Sequence, residues 1–147
     1  MILSHVIIDW LVVYVSSVWN CYRKCRLLLL NFIYTCSNLL NDKGSEAYSQ
    51  KNILKEAKIL SESLASSVLF HLLRNPEAFV DEQQSTSSNP SILVNQSIGG
   101  LLIMHPLNAV SSLEIIPPDL RQLFREHLAW IGNVMGIGQA LLLADVS

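Results

Sequence analysis

Side chains that could carry chemistry occur throughout this 147-residue chain, but their spacing does not assemble a catalytic site. A zinc protease needs two histidines one helical turn apart with a glutamate beside the first, and an α/β-hydrolase needs a G-x-S-x-G turn. Neither pattern occurs around the serines or among the four histidines, which are His5, His71, His105 and His127. A single histidine between leucines is instead typical of a core or rim residue.

The remaining catalytic candidates fail for physical reasons as well. Glu77, Asp81 and Glu82 lie in a polar stretch without the apolar surroundings that raise a carboxyl pKa for acid–base catalysis. The run Gly136 to Gly138 differs from a phosphate-binding loop because no strand precedes it and because the third glycine and the lysine are missing. We therefore expect no enzymatic activity, no catalytic residue and no cofactor.

The cysteines do not indicate a metal site. Structural zinc generally takes four ligands, whereas this chain has Cys21, Cys25 and Cys36 and no second cluster. They lie in a stretch rich in apolar residues, so we expect them to be small buried residues in a reducing compartment.

The basic residues Arg23, Lys24 and Arg26 form one cluster in a chain whose net charge is −2. Three charges neutralise only about three phosphates, so direct binding to nucleic acid is not expected. Arg26 falls on a stripe that the sequence predicts to be buried, and a buried guanidinium needs a carboxylate partner. A structural ion pair explains Arg26 most simply, and the alternative is that Arg23 and Arg26 contact an effector or a partner.

The overall composition indicates an incompletely covered apolar surface. Hydrophobic residues make up 50% of the chain and charged residues 15%, with a mean hydropathy of +0.35. A small monomer cannot hide that much apolar side chain. The excess suggests a protein partner, which could be a missing part of the same domain or a second copy; a membrane is the other possibility.

Apolar residues recur every three to four positions, so the sequence predicts an all-α protein. We expect two helices in the first forty residues, dividing near Ser16, Ser17 and Asn20. A buried stripe is predicted on the second of them, formed by Trp19, Tyr22, Arg26, Leu29, Leu30 and Ile33. After the polar segment Asn41 to Gln50, a further helix should bury Ile53, Ala57, Leu60, Leu64, Ser67 or Val68, and His71.

A polar stretch, prolines and glycines divide the second half of the chain into segments. Residues 77–97 lack an apolar period, which predicts a flexible surface loop, and Pro106 should end or kink the segment that contains it. Beyond Pro117 and Pro118, a helix should bury one face formed by Leu120, Leu123, Phe124, Leu128, Ile131 and Met135. Gly132 within this helix predicts close approach of another backbone, expected to be the helix at Arg26 to Ile33. Gly136 and Gly138 should break it, leaving a short helix from Gln139 to Val146.

Three blocks of sequence, in this order, resemble part of a known family. They are WNCYRKCRLLLLNF (residues 19–32), ESLASSVLFHLL (62–73), and GGLLIMHPL followed by LFREHLAWIGNVMGIGQALLLA (within 99–144). They are similar to the C-terminal part of the helical regulatory domain of fungal-specific zinc-cluster transcription factors. The six-cysteine zinc cluster that reads DNA in that family is absent from this sequence.

The resemblance implies a single domain over residues 1–147. Its fold would be an irregular antiparallel helical bundle, a fragment of a larger regulatory domain. It further implies a non-catalytic, nuclear protein that regulates transcription without its own DNA-binding module. The transcription machinery is then a further possible partner.

A small membrane-anchored protein is the alternative. Met1 to Trp19 is just long enough to span a bilayer, although Asp9 opposes insertion by about 2.5–3.5 kcal/mol.

Overall fold

The computed structural model describes residues 2–40, 46–72 and 90–146. These residues form five helices and no strand, which confirms the all-α prediction. The helices are α1 (Ile2–Leu40), α2 (Glu46–Leu72), α3 (Pro90–Ser111), α4 (Pro118–Val134) and α5 (Gly138–Val146).

Helix α1 is continuous for 39 residues, so the predicted division near Ser16, Ser17 and Asn20 is wrong. Serine and asparagine lower helix propensity only slightly, and the stretch contains neither glycine nor proline. The side chains of Ser16 and Asn20 also bond to α2, which supports the helix at the point where it was expected to end.

Helix α2 runs antiparallel to α1. Three pairs of residues along the two helices show this, since Asn38 contacts Gln50, Arg26 contacts Glu56 and Asn20 contacts Ser67. The buried face of α2 agrees with the predicted stripe, because Ile53, Ala57, Leu64, Val68 and His71 are all buried and Leu60 is half-buried.

Helix α3 crosses both α1 and α2 and continues through Pro106 to Ser111. The predicted end of the segment at Pro106 is therefore wrong, whereas the alternative, a kink at Pro106, stays a prediction. Proline removes a single helical hydrogen bond, and Pro106 is buried between Met104 and Leu107, whose side chains lie in the core. Packing on both sides thus holds the helix in place.

The predicted flexible loop at 77–97 is only partly within the described residues. Its last eight residues, 90–97, belong to α3, so that portion is helical, whereas residues 77–89 lie outside the described residues.

Helix α4 begins at the Pro117–Pro118 pair with Asp119 in its first turn, as predicted. Phe124, Leu128 and Ile131 are fully buried, and Leu120, Leu123 and Met135 are half-buried. The helix ends at Val134, Gly136 adopts a φ of 71°, and α5 starts at Gly138. The glycine break and the short terminal helix are therefore confirmed.

Gly132 does mark a close contact, but with a different helix from the one expected. A Cβ atom built on Gly132 would lie 2.9 Å from the backbone nitrogen of Leu141 in α5. No contact joins α1 to α4 in the described residues. The short Gly136–Gly138 connection folds α5 directly back onto α4, so this local pairing takes the place assigned to the leucine-rich segment of α1.

One core connects the helices. It contains Leu27 from α1, Leu64 and Val68 from α2, Ile103, Leu107 and Val110 from α3, Phe124, Leu128 and Ile131 from α4, and Ala140 from α5. Of α1, only the side facing α2 and α3 contributes to this core.

Candidate functional site

The two candidate arginines lie on α1, and the structure engages them with different partners. Arg26 is exposed and forms an ion pair with Glu56 of α2. Its guanidinium also donates to the Tyr22 hydroxyl, and these hydrogen bonds to Tyr22 and Glu56 raise the pKa of Arg26. The expected ion pair is present, but the expected burial is wrong because the predicted stripe faces outward.

Arg23 belongs to a polar cluster between α1 and α2 that the sequence did not reveal. The cluster consists of Ser16, Asn20 and Arg23 of α1 with Ser67 and His71 of α2. Asn20 is fully buried, and its Oδ1 accepts hydrogen bonds from Arg23 Nη1 at 2.7 Å and from Ser67 Oγ at 3.0 Å. Arg23 is thereby tied to the interior, whereas Arg26 stays at the surface.

His71 completes this polar cluster at the last turn of α2. Asn20 Nδ2 and Ser16 Oγ lie 3.1 Å and 3.0 Å from its Nε2, so both can donate to that nitrogen. Nε2 then acts as the acceptor, which assigns the ring proton to Nδ1. Among the described residues Nδ1 has no hydrogen-bond partner. Burial lowers the pKa of His71 to about 4, so the ring is neutral at physiological pH.

Two features of the sequence could have indicated this cluster. His71 falls on the buried stripe of α2, and Asn20 is a strongly polar residue within a long apolar segment. Buried polar groups need hydrogen-bond partners, so two such groups on adjacent helices could have been paired. The spacing along each helix did not show which turns would meet.

Among the described residues, α1 exposes an outer face, which we define as Leu11, Val15, Val18, Tyr22, Cys25, Leu29, Phe32 and Leu39. All eight side chains are exposed, and Phe32 and Leu39 are 67% and 79% exposed. Trp19, Ile33 and Leu28 are exposed beside them. Exposed apolar faces of this length are typical of interaction surfaces.

This face corrects the predicted burial pattern of α1. Trp19, Tyr22, Arg26, Leu29 and Ile33 were expected in the core, yet each is exposed, and Leu30 is half-buried. The residues that point inward are Asn20 and Leu27, with Leu30 and Tyr34 packed at the core margin. Because apolar residues surround most of this helix, their spacing alone did not select the inward side.

The cysteines and the remaining histidines add no chemistry. Cys21 and Cys25 are exposed and Cys36 is half-buried, so the prediction of three buried cysteines is wrong. No group of three potential metal ligands occurs within residues 2–40, 46–72 and 90–146. His127 is half-buried and bonds to the Leu123 carbonyl of its own helix at 2.7 Å, as a rim histidine would.

The membrane-anchored alternative requires Met1 to Trp19 to cross a bilayer. Across the part of the chain that the structure describes, none of the helices combines the length and the apolar character that a membrane span requires.

Comparison with known proteins relates the chain to a transcription factor. It is 40% identical over 132 residues to the transcription factor dbaG of Emericella nidulans. The aligned part covers 89% of this chain and 30% of dbaG, so the chain spans less than a third of that protein. No protein-family model matches the chain, and no solved structure matches it.

Proposed function

We propose that this chain is a non-catalytic regulatory domain of the kind found in fungal zinc-cluster transcription regulators. The observation that carries the proposal is the 40% identity to dbaG over 89% of the chain. Identity of this level over 132 residues indicates a shared fold, and the aligned part includes most of the helical core described above. The proposed site of action is the nucleus, and the proposed partners are proteins.

The surface supports a binding role better than a catalytic one. The described residues expose an apolar face of eight side chains on α1, whereas their buried polar groups are bonded mainly to one another between α1 and α2. A catalytic site needs polar groups that are free to meet a substrate. An exposed apolar face instead supplies the area that protein association requires.

A chimera tests the regulatory role directly. The 132-residue segment of dbaG that aligns with this chain would be replaced by this chain, and the transcripts that depend on dbaG would be measured in a dbaG deletion strain. We expect the chimera to restore a substantial part of those transcripts. A matched chimera carrying Leu107→Asp, which places a carboxylate in the fully buried core, should fail. A stable, nuclear chimera that leaves transcription at the deletion level would contradict the proposal.

The same chimera tests Arg23 and Arg26 as partner or effector contacts. Arg26 lies at the surface with its Cζ 5.9 Å from the centroid of the Tyr22 ring, and that ring packs edge-on against Trp19 with centroids 5.8 Å apart. An exposed guanidinium next to aromatic rings is a frequent feature of protein interfaces. Arg26→Gln should therefore reduce transcription without lowering stability, whereas Lys55→Gln, a change at an exposed lysine of α2, should have no effect.

Arg23 needs a separate experiment because it also supports the fold. Its bond to the buried Asn20 means that Arg23→Gln should lower both stability and transcription.

If the Arg26→Gln and Lys55→Gln chimeras give equal transcription, Arg26 has only the structural role of pairing with Glu56.

A further inference from the structure

The outer face of α1 follows the spacing of a coiled-coil seam. Its members occur at alternating steps of four and three residues from Leu11 through Phe32, and the half-buried Cys36 and then Leu39 continue the pattern. This is the a/d alternation of a heptad repeat sustained for four heptads, and every position is apolar. We call these nine residues the seam of α1, which extends for roughly 42 Å at 1.5 Å per residue.

The seam is oriented away from the rest of the protein. The helix packs on α2 and α3 through the side that carries Asn20 and Leu27, which lies opposite the seam. Another helix could therefore lie along the seam without displacing either α2 or α3.

We propose that the seam binds the seam of a second copy of this chain, forming an antiparallel, two-fold symmetric dimer. This inference goes beyond the proposed function and does not depend on a role in transcription.

Area is the first argument for a second copy. Twelve large apolar side chains of α1 on or beside the seam are between 41% and 79% exposed. Together they offer an area on the order of the 800 Å² that each partner buries in a standard interface.

Charge is the second argument. The seam carries no charged residue, and the charge next to it, on Arg26, is paired with Glu56 of the same chain. A strongly acidic or basic partner would therefore find no complementary group along the seam. A neutral helix of equal length and equal period fits it, and α1 itself meets that description.

The sizes of the side chains determine the direction. In an antiparallel pair centred between residues 23 and 24, each layer combines a larger with a smaller side chain. The layers are Leu11 with Cys36, Val15 with Phe32, Val18 with Leu29, and Tyr22 with Cys25. Alternation of large and small residues fills the space between helices. In a parallel pair, identical residues would face each other. The layers with two Tyr22 or two Phe32 side chains would be crowded, and the layers with two Cys25 or two Cys36 side chains would leave space unfilled.

A charge-exchange experiment on the full chain tests this arrangement. Val18 and Leu29 are 53% and 62% exposed, so changes there should leave the monomer folded. In sedimentation velocity, Val18→Glu and Leu29→Lys should each raise the dimer Kd by on the order of 100-fold, because each buries an unpaired charge in the dimer. The double variant V18E/L29K should regain the dimer, since only the antiparallel alignment brings the two opposite charges together.

Ile59→Glu is the matched control, because Ile59 is 53% exposed but lies on α2. It should dimerise like the unmodified chain. Circular dichroism of every variant should show the helix content of the unmodified chain.

Oxidative crosslinking gives an independent test of direction. In a chain with Cys21→Ser and Cys25→Ala, adding Leu11→Cys should give a disulfide between position 11 of one copy and Cys36 of the other. Without Leu11→Cys, no covalent dimer should form, since the two Cys36 residues would lie roughly 38 Å apart along the antiparallel axis.

Several outcomes would overturn the proposal. These are a monomeric unmodified chain at all concentrations, a dimer that Val18→Glu does not weaken, and a Cys36–Cys36 disulfide, which requires a parallel pair. A monomer that binds phosphatidylcholine vesicles through the seam, or binds only the part of dbaG outside the aligned stretch, would also overturn it and identify a different occupant.

Discussion

Asn20 and His71 show how individual polar residues specify the pairing of α1 with α2. Both are buried, and Asn20 Nδ2 hydrogen-bonds to His71 Nε2 across the two helices. Apolar contacts tolerate small shifts between helices, whereas a hydrogen bond is lost when its partners move by one turn. The polar cluster therefore fixes the register of the antiparallel pair.

The titration of His71 leads to a prediction about acid stability. Folding lowers its pKa from 6.5 to about 4 through burial. Between these values the unfolded chain binds the additional proton, so the free energy of unfolding should fall by about 2–3 kcal/mol as the pH drops from 6.5 to 4. Protonation would also turn Nε2 into a donor that faces the amide donor Asn20 Nδ2, although the Ser16 hydroxyl can rotate to accept from it.

Chemical denaturation at several pH values would measure this effect. His71→Gln should show a flatter dependence on pH than the unmodified chain, whereas His105→Gln, a change at an exposed histidine, should not. Equal slopes for the unmodified chain and His71→Gln would rule out His71 as the titrating group.

Removal of Asn20 should destabilise the fold strongly. Asn20→Ala would leave Arg23, Ser67 and His71 without the amide that they contact. A buried group that loses its partner costs about 1–3 kcal/mol, so we expect a loss at the upper end of that range. Asn38→Ala, which affects an exposed amide bonded to Gln50, should change the unfolding free energy by less than about 0.5 kcal/mol. Urea denaturation of the two variants provides the comparison.

At the level of elements, two glycines set the distances at which helices meet. Gly132 of α4 lies against Leu141 of α5, and Gly99 of α3 lies against the backbone carbonyl of His71 at the end of α2. A Cβ atom on Gly99 would be 2.9 Å from the His71 carbonyl carbon, and that backbone cannot rotate away as a side chain can. A larger residue at either position therefore requires the helices to separate.

Substitution of these glycines should measure that closeness. Gly132→Leu should lower the free energy of unfolding by about 1–3 kcal/mol through overpacking, and Gly99→Ala should be at least as costly because it meets backbone. Gly138→Ala is the control, since nothing lies within 4 Å of a Cβ atom there. If the midpoint of thermal denaturation for Gly132→Leu is unchanged or higher, α5 can move away from α4 without loss of stability.

Sequence periodicity predicted α2 and α4 well because each has one apolar and one polar face. Lysines alternate with Ile53, Ala57 and Leu64 on α2, so a single side could turn inward. The same reasoning failed for α1, where apolar residues occupy both the inward and outward sides. It also failed for the partner of Gly132, because a glycine shows that something approaches but carries no information about which helix does.

The functional surface was therefore predictable in kind but not in place. An apolar excess in the composition indicated a partner, and among the described residues α1 exposes more large apolar side chains than any other helix, Leu29 and Phe32 among them. The polar cluster was not predicted, since its members are separated by 51 residues in the case of Asn20 and His71.

At the level of the whole molecule, the dimer proposed above should make stability depend on concentration. Association that occurs only in the folded state stabilises that state by mass action. The thermal midpoint of the unmodified chain should then rise with protein concentration, whereas the midpoint of the Val18→Glu variant should stay constant. Differential scanning calorimetry over a series of dilutions would measure both. A midpoint of the unmodified chain that does not change with dilution would count against self-association.

The two opposite sides of α1 have consequences for how such a protein can evolve. Substitutions at Asn20 or Leu27 alter the bundle itself, whereas substitutions along the seam leave the bundle intact and change only what it associates with. Selection can therefore act on the two sides separately. A lineage could exchange one occupant of the seam for another, including a copy of the same chain, through a few neutral steps on a helix whose fold is preserved by its other side.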